Sequence, residues 1–320
     1  MRTRRISVIV GGLVVLALFA SACDDSNSDS GRADTTTTTT TTAPTAPAAD
    51  CGNPMASFAP LDPMPAPGEM PAGSYMAEIQ RRGRLVAGVS ADTLLFGYRN
   101  PVTGQLEGFD IDLVREVAQA IFGDPNRVEY KVVTYAQRIP ALLDGSVDIV
   151  ANVMTVNCER WQEISFSSQY FDAGKKILVR TDSPVTSITE LDGKRVCAAA
   201  GSTSFDNLQQ YPEVITVPVE ATSDCMVLFQ QGTVDAVTGD DTVLAGFVAQ
   251  DPYAKIVGPA MTSEPYGLGV AKTHPEFVSF ANGVLEDLRA DGTWAQMYSR
   301  WLQPTGAAPA PPVAVYGRAQ

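Results

Sequence analysis

The chain has 320 residues, 45% of them hydrophobic, and sets 36 acidic side chains against 23 basic ones for a net charge of −13. That length accommodates two ordinary domains with buried cores, and that acidity argues against a nucleic-acid partner, whose phosphates call for a basic face. With one histidine, His274, no P-loop and no CxxC among five cysteines, hydrolysis by a serine or cysteine nucleophile, nucleotide chemistry and a zinc or other metal site are not expected.

The chain opens with Arg2, Arg4 and Arg5, an apolar run from Ile6 to Phe19, and Ala20-Ser21-Ala22-Cys23. A basic start, a short apolar run and small residues before a cut are the marks of an export signal over 1–22. The apolar run is too short and wrongly flanked for a comfortable membrane span, and no later segment reaches the necessary length. The residues before Cys23 resemble the lipobox of bacterial lipoproteins, in which that cysteine is lipidated and becomes the mature N-terminus. Ala20 departs from the usual leucine, and Ala20-Ser21-Ala22 also suits ordinary signal peptidase, with the same cut after Ala22.

Residues 23–74 read as a disordered tether: an Asp/Ser stretch, a threonine run from Thr35 to Thr42, then Ala/Pro-rich sequence. A tether makes sense when its start is fixed, so lipidation of Cys23 is favoured, with more than one acyl chain for a stable anchor on the outer face of the cytoplasmic membrane. Loss of the signal's arginines leaves the mature chain still more acidic. An anionic ligand must therefore be held by local groups rather than by long-range attraction.

From Tyr75 onward, short apolar runs alternate with helical periods, the pattern of an α/β protein. Strands are expected over 84–90, 127–133, 147–153, 176–180, 194–199, 213–218, 234–238 and 267–270. Helices are expected over 110–122, 275–289 and 293–302. The first of these places Leu113, Val114, Val117, Ala118 and Ile121 on one face and ends at Gly123. The tail 305–320, with Pro309, Pro311 and Pro312, reads as flexible.

The most informative stretch is Met154-Thr155-Val156-Asn157-Cys158-Glu159-Arg160, where an apolar strand meets a helix. Arg160 offers a planar fork that fits a carboxylate bidentately, Thr155 a hydroxyl, and the helix start free N–H groups. An amino acid is the natural guest. A lone arginine on a helix would instead pair with Glu159 or Glu163, but upstream Gly108-Phe109-Asp110-Ile111-Asp112-Leu113 runs into Val117-Ala118 and Ile121. That segment resembles the signature of the family 3 bacterial extracellular solute-binding proteins, and the resemblance extends from about Ile79 to Leu302.

The resemblance implies a periplasmic-binding-protein type II fold, α/β, with two lobes that are each a central sheet flanked by helices. Lobe 1 would comprise 75–171 and 267–304 and lobe 2 172–266, with hinge crossings near Tyr170-Phe171 and Pro265-Tyr266. It implies a monomeric receptor rather than an enzyme, without cofactors, that hands an amino acid to an ABC permease. A membrane sensor protein as partner and, more remotely, a dehydratase on this fold are the alternatives. It also implies the pocket: Arg160 and Thr155 for the ligand carboxylate, Ser202 and Thr203 meeting it from the second lobe, Asp240 for the ammonium, and Ser90, Phe96 and Tyr135 as walls.

Arg99, in Leu95-Phe96-Gly97-Tyr98-Arg99, resembles the Gly-x-Arg segment of glutamate-binding relatives and would select a side-chain carboxylate, with Lys175 and Lys176 as alternatives. Glutamate or aspartate is thus expected, then asparagine or glutamine. Ala199 stands where glutamine-specific relatives carry lysine. Four cysteines remain besides Cys23, and three pairings are open. Cys197 on a second-lobe strand and Cys225 on the following helix are paired, which leaves Cys51 with Cys158.

Overall fold

The computed structural model describes residues 51–303 and 306–319. The export signal, Cys23 and the threonine run lie outside the described residues. Two central sheets organise the rest. The first has the strand order Val128–Val132, Leu85–Val89, Ile149–Ala151, Gly269–Ala271, Ile164–Phe166. Its first three strands run parallel and the last two join antiparallel. Leu85–Val89 is buried at every residue, as a parallel strand covered on both faces must be.

The helix Phe109–Phe122 covers this sheet with Ile111, Leu113, Val114, Val117, Ala118 and Ile121. Gly108 opens it because a Cβ there would lie 2.2 Å from Phe96 O, and its φ of +135° suits only glycine. The two aspartates of the segment have structural work. Asp110 accepts from Val153 N at 2.8 Å and Tyr170 Oη at 2.7 Å, while Asp112 holds Arg300 and Trp301 of the last helix. Asp110 therefore fixes the very end of the strand that leads into Thr155.

The second sheet has the order Ile215–Val219, Arg195–Ala199, Ala236–Asp240, Phe171–Arg180, Ala254–Val257. The strand expected from Lys176 begins at Phe171 because its first residues pair antiparallel with Ser263–Tyr266, register Phe171↔Tyr266 to Gly174↔Ser263. Both crossings between the sheets thus run side by side. One large apolar core surrounds the first sheet and two smaller ones flank the second.

Two disulfides are present, Cys51–Cys158 and Cys197–Cys225. The segment 51–74 and the tail 306–319, expected to be loose, are packed onto the first sheet's body. Ala56–Ser57 pairs in parallel with Val315–Tyr316, Phe58 is buried, and Ser57 Oγ donates to Phe166 O. Proline-rich composition rules out helices there. It does not prevent a few anchors, here Cys51, Phe58, Met70 and Tyr316, from binding the chain to a surface built elsewhere.

Candidate ligand-binding site

The clamp begins where Ile149–Ala151 ends. Asn157 Oδ1 accepts from Arg160 N at 2.9 Å and so caps the single helical turn Cys158–Trp161. That turn aims Arg160 inward. The Arg160 guanidinium is buried and donates to Thr155 O at 2.8 Å and to Gly201 O, across from it on the second lobe, at 3.3 Å.

A second guanidinium stands beside it. Arg138, 2% exposed, donates to Asn152 O at 2.9 Å, Tyr135 O at 3.0 Å and Gly201 O at 3.0 Å, and lies 4.4 Å over the Tyr135 ring. Among the described residues neither arginine forms an ion pair. Burial pushes Arg138 down to about 9, with the Arg160 charge adding to the effect, and burial also lowers Arg160. Two desolvated cations bonded only to carbonyl oxygens create a strong demand for an anion.

The opposite wall is acidic. Asp240 ends the strand Ala236–Asp240, is buried, and accepts from Tyr266 Oη at 2.7 Å. Burial, and then the nearby charge of Glu264, push it up to about 7. Glu264 is itself saturated: it accepts from Thr155 Oγ1 at 2.8 Å, Thr203 Oγ1 at 2.7 Å and Thr262 Oγ1 at 2.5 Å, and pairs with Lys175 Nζ at 2.9 Å. Lys175, weighed from the sequence as a ligand group, is therefore engaged by the protein's own carboxylate.

Arg160, Thr155, Asp240, Tyr135, Ser202 and Thr203 line one cavity between the two sheets, together with Arg138. The hydroxyls of that set are directed within the protein. Those of Thr155 and Thr203 serve Glu264, while Ser202 Oγ caps the helix Thr203–Leu208 through Phe205 N and donates to Ala199 O. The lobes touch around the cavity: Asp92 Oδ2 accepts from Ser223 N at 3.0 Å, and a Cβ on Gly201 would lie 2.5 Å from Ala136 Cα.

Three expectations are corrected. Arg99 is exposed on a small hairpin and donates to Gly104 O at 2.9 Å, so it turns to its own loop rather than to the cavity. Phe96 is wholly buried among Phe109, Phe171 and Tyr266, a core aromatic. Ser90 Oγ bonds Asp92 and Thr93 and sits behind the wall, with Thr93 Oγ1 3.5 Å from Tyr135 Oη. Sequence reasoning missed Arg138 and Glu264. The one signal for Arg138 was its place in Tyr135-Ala136-Gln137-Arg138, three residues beyond a wall residue already chosen.

The family model for bacterial extracellular solute-binding proteins, family 3, matches residues 85–304. The ABC transporter glutamine-binding protein GlnH of Bacillus subtilis is 35% identical over 230 residues, covering 71% of this chain and 84% of that protein. The glutamine-binding protein of Geobacillus stearothermophilus is 41% identical over 207 residues, 64% of this chain and 79% of its own. Among solved structures, holo ArgBP from T. maritima superposes with a TM-score of 0.64 at 31% identity, covering 71% of this chain and 99% of that one.

Proposed function

We infer that this chain, which belongs to the bacterial extracellular solute-binding proteins, family 3, is the receptor for a polar amino acid, acidic by preference, and delivers it to an ABC importer. The observation that carries the preference is the pair of buried guanidiniums. Arg138 and Arg160 line the cavity against one lining carboxylate, Asp240, while Lys175 and Glu264 neutralise each other as an ion pair. A zwitterion leaves that excess in place; glutamate or aspartate, with one more negative charge, cancels it.

In this reading the ligand's α-carboxylate takes the Arg160 fork, its ammonium takes Asp240, and the side-chain carboxylate reaches Arg138. Charge-assisted bonds of this kind are about twice as strong as neutral ones, so an amide at the Arg138 end is held less firmly. Asparagine and glutamine follow as weaker guests in this reading; among the relatives, two are named for glutamine binding and the GluB proteins of Corynebacterium for glutamate binding. The family is one of binding proteins, and the reading is of binding without turnover.

The body would consist of lobe 1, residues 75–171 and 267–304, and lobe 2, residues 172–266, closing about Phe171 and Tyr266. Cys23 would hold it to the membrane as a lipoprotein. Calorimetry with glutamate, aspartate, glutamine and asparagine at one pH and salt concentration tests the ligand. Acids binding at least tenfold tighter than their amides is the expected result, and amides binding as well or better would overturn the preference. Cross-linking in the native membrane tests the partner: permease subunits are expected, and capture of a signalling protein in their place would overturn the importer assignment.

A further inference from the structure

We propose that the two ends of the folded body form a clasp whose task is to position Arg160. The inference rests on the reading of Arg160 as the ligand's carboxylate clamp. Its starting point is that the turn Cys158–Trp161 is four residues long, so that its cap at Asn157 and its few hydrogen bonds repay only part of the entropy of its nucleation. Something outside the turn must fix it. The segments that do so, 51–58 and 315–318, both lie beyond the 85–304 that the family model matches.

Two of the turn's four residues, Cys158 and Trp161, are tied to those segments, while Glu159 faces solvent. Cys158 is bonded to Cys51. Trp161 Nε1 donates to Pro54 O at 2.8 Å, and its ring meets Phe58 edge-on at 6.2 Å. Arg318 covers the outer side, its guanidinium 3.8 Å from the Trp161 ring centroid. Its Nε donates to Ala56 O at 3.0 Å, and Arg318 N and Gly317 N both donate to Ser57 O. The parallel pair Ala56–Ser57 with Val315–Tyr316 joins the two ends, and Asn282 Nδ2 anchors Ser57 Oγ and Phe58 O to the long helix Pro275–Ala290.

The clasp therefore acts on the ligand through Arg160, by locking the orientation of a fork whose bidentate fit tolerates little rotation. Arg318 is a positioning residue in this scheme, and it touches no part of the cavity.

The test uses the full chain with Arg318→Ala, Arg160→Lys and the double variant, reading glutamate affinity by calorimetry and ligand-free melting temperature. Arg318→Ala is expected to weaken binding roughly fivefold to tenfold, the size of coupling seen between residues in one network. In the Arg160→Lys background, where no planar fork needs aiming, Arg318→Ala should change affinity by less than twofold. A lowered melting temperature with unchanged affinity would make the clasp a stabiliser only and overturn the proposal, as would equal losses in both backgrounds. Arg160→Lys binding like the wild type would instead sink the underlying reading.

Discussion

Asp240 should make ligand binding release a proton. It is buried, pushed up to about 7, and lies where an ammonium group would need it ionised. For an acid whose pKa is raised in the free receptor and falls in the complex, affinity is full above the raised value and is lost as pH falls through it. Working from a value of about 7, about half of the receptors are protonated at pH 7 and roughly nine-tenths at pH 6, so affinity should fall about tenfold between pH 8 and pH 6. Calorimetry from pH 5.5 to 8.5 in two buffers of different ionisation enthalpy reads both the slope and the proton. Asp110, also pushed up to about 7, is not among the lining residues but bonds one of them, Val153, through its backbone N, and Asp240→Asn separates the two: the variant should bind weakly with a flat profile. Equal affinity at pH 6 and pH 8, with no dependence on buffer, would refute the assignment of Asp240 to the ammonium.

Arg160→Ala should lose on the order of 3–5 kcal/mol of binding, several hundredfold or more, because the ligand carboxylate is left desolvated without its partner; affinity within a few-fold of wild type by calorimetry would refute the clamp. Arg138→Gln should lose glutamate and aspartate binding far more than glutamine or asparagine binding, whereas Arg99→Ala, exposed and bonded to Gly104 O, should leave all four affinities unchanged. Gly201→Ala should obstruct closure, since its φ of +74° costs a residue with a side chain about 1–2 kcal/mol and the new Cβ would meet Ala136 Cα at 2.5 Å. Small-angle scattering with saturating ligand should then show no compaction, and normal compaction would show that the lobes meet elsewhere.

Residues at strand-to-helix junctions were legible because the junction itself is written locally. Thr155 and Arg160 follow the strand Ile149–Ala151 within ten residues, and Asp240 ends one strand just where the next helix starts, so local pattern placed them at the sheet edge that lines the cavity. Arg138 and Glu264 were not legible. Their roles come from partners 63 and 109 positions away, Gly201 O and Thr155 Oγ1, which no local pattern encodes. Arg99 misled for the opposite reason. Its neighbours read as a pocket wall, but the hairpin register that pairs Arg99 with Leu106 turns its side chain to solvent, while a Cβ on Gly97 would lie 3.0 Å from Ser90 O. The ends of the body were hidden by composition, since one disulfide and a two-residue strand outweigh the many polar and proline residues there only once a surface exists for them to bind.

The two crossings between the sheets lie bonded to one another, Phe171 against Tyr266 and Gly174 against Ser263. Two independent threads would leave the lobes free to twist, slide and rock. A laddered pair behaves as one leaf spring, which bends across its width at little cost but resists shear along its hydrogen bonds. Such a ladder would favour bending over sliding as the relative motion of the two sheets. Tyr266 sits on that ladder, with its backbone paired to Thr155 and Phe171 and its hydroxyl on Asp240 and Thr242. On the reading of these crossings as the hinge, a group bound at Asp240 would act on them directly through the Tyr266 hydroxyl.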